Sequence, residues 1–91
     1  MRIRWSPEAA DDLEQIVKFI RRDNPGAARR VARTIYEGVS ILRTSPEIGR
    51  AGPREGSREL LFVPLPYVAV YRIKGKVVEI SRIYHAAQSR S

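Results

Sequence analysis

A chain of 91 residues can bury one modest core and is too short for two domains. It has no Cys and a single His, which excludes disulfides, thiolate chemistry and a His/Cys zinc site. Seventeen Lys and Arg stand against ten Asp and Glu, a net charge of +7. That balance favours an anionic partner, nucleic acid or an acidic protein, although many soluble domains are basic without binding nucleic acid. No apolar run approaches the ~18 residues of a membrane span, and Met1-Arg2-Ile3-Arg4 lacks a signal peptide's apolar stretch. The expectation is a cytoplasmic protein without metal or other cofactor and without a membrane partner.

Met1–Trp5 alternates, with Ile3 and Trp5 on one side and Arg2 and Arg4 on the other, the period of a half-buried strand. Ser6-Pro7-Glu8 then starts a helix: Ser6 caps, Pro7 suits the first helical position, and Glu8, Asp11 and Asp12 complement the N-terminal dipole. Leu13, Ile16, Val17 and Ile20 recur as an amphipathic stripe. Asp11 and Asp12 are consecutive and do not face each other, so dipole and solvation roles outweigh metal or acid–base work. Asn24-Pro25 repeats the cap-then-proline signal for a second helix. Its stripe is Ala28, Val31, Ala32, Ile35, Val39 and Leu42. Arg29, Arg30 and Arg33 lie off that stripe, as a nucleic-acid patch or as a solvated face. So short a link makes an antiparallel helix hairpin. Ser45-Pro46 ends it. Residues 47–57, with Gly49, Gly52, Gly56, Arg50 and Arg54, read as an irregular basic loop that matches neither a P-loop nor a dinucleotide fingerprint.

Three strands follow: Arg58–Val63, Tyr67–Ile73 and Val77–Tyr84. Pro64-Leu65-Pro66 separates the first two, since proline cannot donate to a ladder. Gly75-Lys76 fits a type II′ hairpin turn. That turn sets Ile73 opposite Val78, Arg72 opposite Glu79, Tyr71 opposite Ile80 and Ala69 opposite Arg82, which sorts apolar with apolar and Arg with Glu. Tyr67, Ala69, Tyr71, Ile73, Val78, Ile80 and Tyr84 are then expected to face the core. Val68, Val70, Arg72, Glu79, Ser81 and Ile83 face outward. A three-residue Pro-Leu-Pro loop would pair Arg58 with Arg72 and make a row of Arg58, Arg72 and Glu79. The helix hairpin buries its stripes on one face of this mostly antiparallel sheet. The result is an α+β two-layer domain over residues 1–91, in the order β-α-α-β-β-β, with a basic open face for binding. Residues 86–91 form a short tail.

This order and several local patterns resemble the RelE/ParE superfamily of toxins from type II toxin–antitoxin systems, the plasmid stabilisation family. The resemblance rests on Trp5-Ser6-Pro7 with Ala9 and Asp11-Asp12-Leu13, then Asn24-Pro25 with Ala27-Ala28. Leu42, Pro46, Ile48-Gly49-Arg50, Arg58-Glu59-Leu60, Pro66-Tyr67 and Val70-Tyr71-Arg72-Ile73 continue it to the closing block from Arg82-Ile83-Tyr84-His85 to Gln88. It implies a growth-inhibiting toxin neutralised by a cognate antitoxin, as a toxin dimer or a heterotetramer with the antitoxin.

The superfamily contains two activities. RelE-like members are ribosome-dependent mRNA endoribonucleases, and ParE-like members act on DNA gyrase without cleavage chemistry of their own. Arg58-Glu59-Leu60 and the block from Tyr71 to His85 resemble ParE at least as closely. Cutting RNA by its own 2′-OH needs a base, an acid and cations at the phosphate. Arg stays protonated and cannot be the base, so His85 and Glu79 remain. An RNase would use His85 with Arg82, Arg72 and Arg58; a strand-end structural His85 is an equal reading. The lysine pair of RelE has no match in the region that holds Arg50 and Arg54. Target binding, to gyrase or to ribosome and mRNA, is expected of Arg50, Arg54, Arg58, Arg72, Lys74, Lys76 and Arg82. A non-toxic relative, or a basic nucleic-acid-binding module, is the reading from another class.

Overall fold

A computed structural model of the chain describes residues 1–87. Gln88, which closes the family-like block, and the rest of the expected tail lie outside the described residues. In chain order the elements are β1 (Arg2–Trp5), α1 (Pro7–Arg21), α2 (Pro25–Ser40), a 3-10 turn (Ile41–Arg43), β2 (Arg50–Ala51), β3 (Ser57–Leu61), β4 (Tyr67–Lys74) and β5 (Val77–His85). The five strands form one sheet in the order β1-β5-β4-β3-β2. The expected α+β arrangement is present, but the sheet is mixed: β1 runs parallel to β5 and the other pairs are antiparallel. β2 lies within what the sequence pattern reads as irregular loop; Arg50 pairs with Glu59 and Ala51 with Arg58. So short an edge strand leaves little open ladder for another chain.

Both helices start as their sequences dictate. The Ala9 N–H donates to Ser6 Oγ at 2.9 Å, and the Ala27 N–H donates to Asn24 Oδ1 at 3.0 Å. Each cap supplies an acceptor for an otherwise unpaired first-turn donor, worth about 1 kcal/mol. Ser6 Oγ also donates to Ser81 O at 2.9 Å, so the cap of α1 is tied to β5. Leu13, Val31, Ile35, Val39 and Leu42 are buried against Ala69, Tyr71, Val78, Ile80 and Ile83 of the sheet. Each such aliphatic side chain contributes roughly 1.5–3 kcal/mol on burial. Ile3 and Trp5 pack on this core, and Trp5 meets Tyr36 of α2 with centroids 5.3 Å apart and ring planes tilted by 48°.

Gly75 has φ +59 and, among the described residues, no non-glycine residue has positive φ, the φ signs of the expected type II′ turn. Ile73–Val78, Arg72–Glu79 and Tyr71–Ile80 pair as expected. Beyond them the register shifts: Val70 faces Arg82 and Ala69 faces Ile83, leaving Ser81 as an extra residue. The expected Ala69–Arg82 pair is therefore corrected. The bulge exchanges the two faces from that point on. Ile83, 2% exposed, enters the core, while Tyr84 leaves it and pairs with Val68.

A second correction concerns Arg58. Phe62 leaves the ladder to become buried beside Gly38, where an added Cβ would lie 2.7 Å from the Phe62 ring. β3 ends at Leu61, and the connection to β4 is residues 62–66 rather than three residues. Arg58 consequently faces Tyr71, and Ser57 faces Arg72. This one-residue slip turns Arg58 to the helix side, and the expected row of Arg58, Arg72 and Glu79 does not form.

Candidate functional site

Tyr71 and Arg58 fasten residues 46–49 to the sheet. The Tyr71 hydroxyl donates to Pro46 O at 2.7 Å and accepts from the Gly49 N–H at 2.9 Å. Burial pushes its pKa above the ordinary 10.0, against the lowering by the Gly49 hydrogen bond and the Arg58 charge, with Glu47 adding to the rise. Arg58 Nη1 donates to Glu47 O at 3.1 Å and Gly49 O at 3.0 Å. Only glycine fits at position 49, because a Cβ would sit 2.6 Å from the Tyr71 hydroxyl and 2.8 Å from Glu59 O.

On the sheet face away from the helices, Glu59 is buried at 3% exposure. Arg50 reaches its Oε1 through Nε and Nη2, both at 3.0 Å, and Tyr84 donates to its Oε2 at 2.7 Å. Glu79 is held by Lys74 at 3.0 Å and Arg4 at 3.2 Å. The Lys74 hydrogen bond is the largest influence and holds the Glu79 carboxyl below its ordinary 4.5; burial opposes it, and the Lys74 charge and the Arg4 hydrogen bond and charge add to the lowering. Arg72 stands opposite Glu79 in the ladder, yet its Nη1 donates to Glu55 O at 3.0 Å. Arg54 and Lys76 are exposed, the first in the turn before β3 and the second in the hairpin turn.

At the other end of β5, Arg82 makes a two-pronged ion pair with Asp12 of α1, Nε to Oδ2 at 2.8 Å and Nη2 to Oδ1 at 3.0 Å. Asp12 raises the guanidinium's affinity for its proton, first by these hydrogen bonds and then by its charge. The Ile83 N–H also donates to Asp12 Oδ2 at 2.9 Å. Asp12 thus seals the strand edge beyond β1, a role its place in the first turns of a helix does not reveal. His85 sits beside a groove of about 310 Å³ lined by Asp12, Gln15, Ile16, Phe19 and Tyr67. Its ring meets Tyr67 edge-on at 5.4 Å. His85 Nδ1 accepts from the Ala87 N–H at 3.0 Å, so the neutral ring carries its proton on Nε2.

Backbone pairing places Arg58, Arg72 and Arg82 on three adjacent strands, within a few residues of one another. Their head groups diverge. Arg58 turns to the loop under the helix layer, Arg72 to the turn before β3, and Arg82 over the sheet edge to α1. Of these three arginines, Arg82 is the one that shares β5 with His85. Among the described residues no group of three His, Cys, Asp or Glu is placed to hold a metal ion, and no helix is long and apolar enough to cross a membrane.

The helix layer carries features that hydrophobic periodicity does not flag. Phe19 and Tyr36 are 70% and 57% exposed. A groove of about 270 Å³ runs between α1 and α2, lined by Leu13, Val17, Lys18, Arg21, Ala32 and Tyr36. A second, of about 190 Å³, continues past Tyr36 to Ile3, Trp5 and Arg43.

Three comparisons bear on this geometry. The family described as the ParE toxin of the type II toxin–antitoxin system parDE matches residues 3–90. The candidate toxin Y4kP of Sinorhizobium fredii is 40% identical over 87 residues, covering 96% of this chain and 90% of that protein. Toxin RelE2 of Caulobacter vibrioides is 38% identical over 84 residues, 92% of this chain and 93% of its own. Among solved structures, the chromosomal ParDE system of P. aeruginosa superposes with a TM-score of 0.85 at 31% identity, over 93% of this chain and 95% of the other. With the family matched from β1 through the end of the sheet, the chain belongs to the ParE toxin family of type II toxin–antitoxin systems.

Proposed function

We propose that the chain arrests growth in the cytoplasm by binding DNA gyrase, without cutting RNA, until a cognate antitoxin neutralises it. The divergence of Arg58, Arg72 and Arg82 is the observation that supports this reading. In-place RNA cleavage needs cations gathered on one phosphate beside an acid and a base, whereas each of these guanidiniums is committed to an acceptor within the chain. The likeness to a ParDE system supports the same reading. The antitoxin is expected in the grooves on either side of Tyr36, where an amphipathic helix can lay an apolar face between basic rims at Lys18, Arg21 and Arg43.

Induced expression of the chain alone, followed for growth, DNA breaks and mRNA integrity together, tests the proposal. Arrest with an SOS response and intact message is the expected result. Arrest with codon-phased mRNA cuts that vanish in His85→Ala would sink it in favour of an RNase. That second reading draws on His85 beside its groove and on the relative named RelE2. Coexpression with the product of the adjacent reading frame should restore growth, and Tyr36→Asp should weaken that rescue.

A further inference from the structure

The charge of the molecule is distributed unevenly once internal partners are assigned. Asp12, Glu14, Glu59 and Glu79 are all taken by cations of α1, the sheet or its short β2 edge. The outer side of α2 differs. Arg29, Arg30 and Arg33 are exposed, and among the described residues no ion pair involves them, nor Arg21 and Arg22 at the turn between the helices. At 100° per residue these three side chains lie on the side of α2 opposite the buried Val31, Ile35 and Val39. Arg29 and Arg33 are one turn apart, about 6 Å along the axis. Unlike α1, α2 has no acidic residue in its first turn. Its one carboxylate, Glu37, comes after the arginines.

We infer that this face of α2 is a binding surface for the phosphate backbone of duplex DNA, read without regard to sequence. This inference does not rest on the choice between gyrase and ribosome. A convex row of guanidiniums suits the charged ridge of a duplex, which offers an anion about every 1.7 Å of axis. A single strand would need a series of aromatic platforms for successive bases, and α2 carries one aromatic residue, Tyr36, half exposed and tilted at 48° against Trp5. A membrane surface would need apolar side chains beside the cations, but the apolar stripe of α2 is buried under the sheet layer. Gly26 and Glu37 share this face, and the exposed Tyr36 and Ile41 follow the arginines in the chain rather than lying among them, so the row itself holds no apolar anchor for a protein partner.

The test is fluorescence anisotropy of the full chain with a labelled random-sequence duplex, titrated across salt. The triple variant Arg29→Gln/Arg30→Gln/Arg33→Gln is compared with the charge-matched Arg2→Glu/Arg4→Gln, on exposed positions of β1. The α2 variant is expected to bind at least about tenfold more weakly, with its log–log salt slope reduced by about 2.7, three phosphate contacts' worth. The matched variant should retain most of the affinity and slope. Unfolding midpoints of both variants show that the fold is kept. Equal losses in the two variants would overturn the inference, since binding would then follow net charge alone. So would an α2 variant that binds duplex as the parent does, or one that loses only binding to phosphatidylserine vesicles or to polyglutamate.

Discussion

The sheet and the outer face of α2 are both rich in arginine, and they use it in opposite ways. On the sheet, Arg50, Arg58, Arg72 and Arg82 each find an acceptor inside the chain. On α2, Arg29, Arg30 and Arg33 point away from every other element and meet no carboxylate among the described residues. The difference shows that a cation is available to a partner only where the fold leaves it without an internal acceptor. Counting basic residues along the sequence weights the sheet and the helix equally, but their energetic roles are distinct.

The comparison is broken most strongly at Glu59. Its Ala variant leaves the Arg50 guanidinium and the Tyr84 hydroxyl without their acceptor, and is expected to lower stability by about 2 kcal/mol, reduced from a fully buried pair because Arg50 is half exposed. Urea unfolding measures it, and a midpoint equal to the parent's would refute an anchoring role for that pair. Tyr71→Phe should cost about 1.5 kcal/mol, since the Gly49 N–H and Pro46 O lose their shared partner. It should also change the alkaline limb. Because the folded pKa of Tyr71 lies above 10.0, the parent holds that proton more tightly when folded. The associated stability is complete below pH 10 and is lost as pH rises through the folded value. The Phe variant should show a flatter stability–pH curve there.

A smaller effect is expected at Asp12→Asn, about 1 kcal/mol, because the Arg82 side chain is largely exposed and its ion pair is screened. Faster hydrogen exchange at the Ile83 amide would locate the change at the strand edge; unchanged exchange would mean that Asp12 does not seal it. The smallest effect sharpens the comparison from the other side. The Arg29/Arg30/Arg33 to Gln variant should unfold within about 0.5 kcal/mol of the parent, because no internal partner is lost and Gln is a good helix former. A larger loss would show that these arginines have structural partners after all.

Much of the fold was legible because local signals agree with one another. Ser6-Pro7 and Asn24-Pro25 mark helix starts by supplying an acceptor and a preset φ within a few residues, and both capping bonds are present. The Gly75-Lys76 turn fixes the register near it, since the strand residues next to a tight turn have no freedom to slip. The site was less legible. The signal for Arg58 was spoiled by Phe62, whose burial beside Gly38 shortens β3. The signal for Tyr84 was spoiled by the extra residue at Ser81. Nothing within ten residues of Asp12 announces Arg82, which lies 70 positions along the chain.

The sequence by itself determined the caps, the helix stripes, the hairpin turn, the order of elements and the excess of positive charge. Each is a property of neighbouring residues or of composition, so no knowledge of distant contacts is needed. Tertiary structure alone decided that β1 lies parallel against β5, that a bulge exchanges Ile83 for Tyr84 in the core, and which arginines keep an internal acceptor. Those outcomes depend on side chains meeting across the sheet and across the α1–β5 contact. A period-two pattern carries no record of a single inserted residue, and a guanidinium's partner is set by packing rather than by sequence distance.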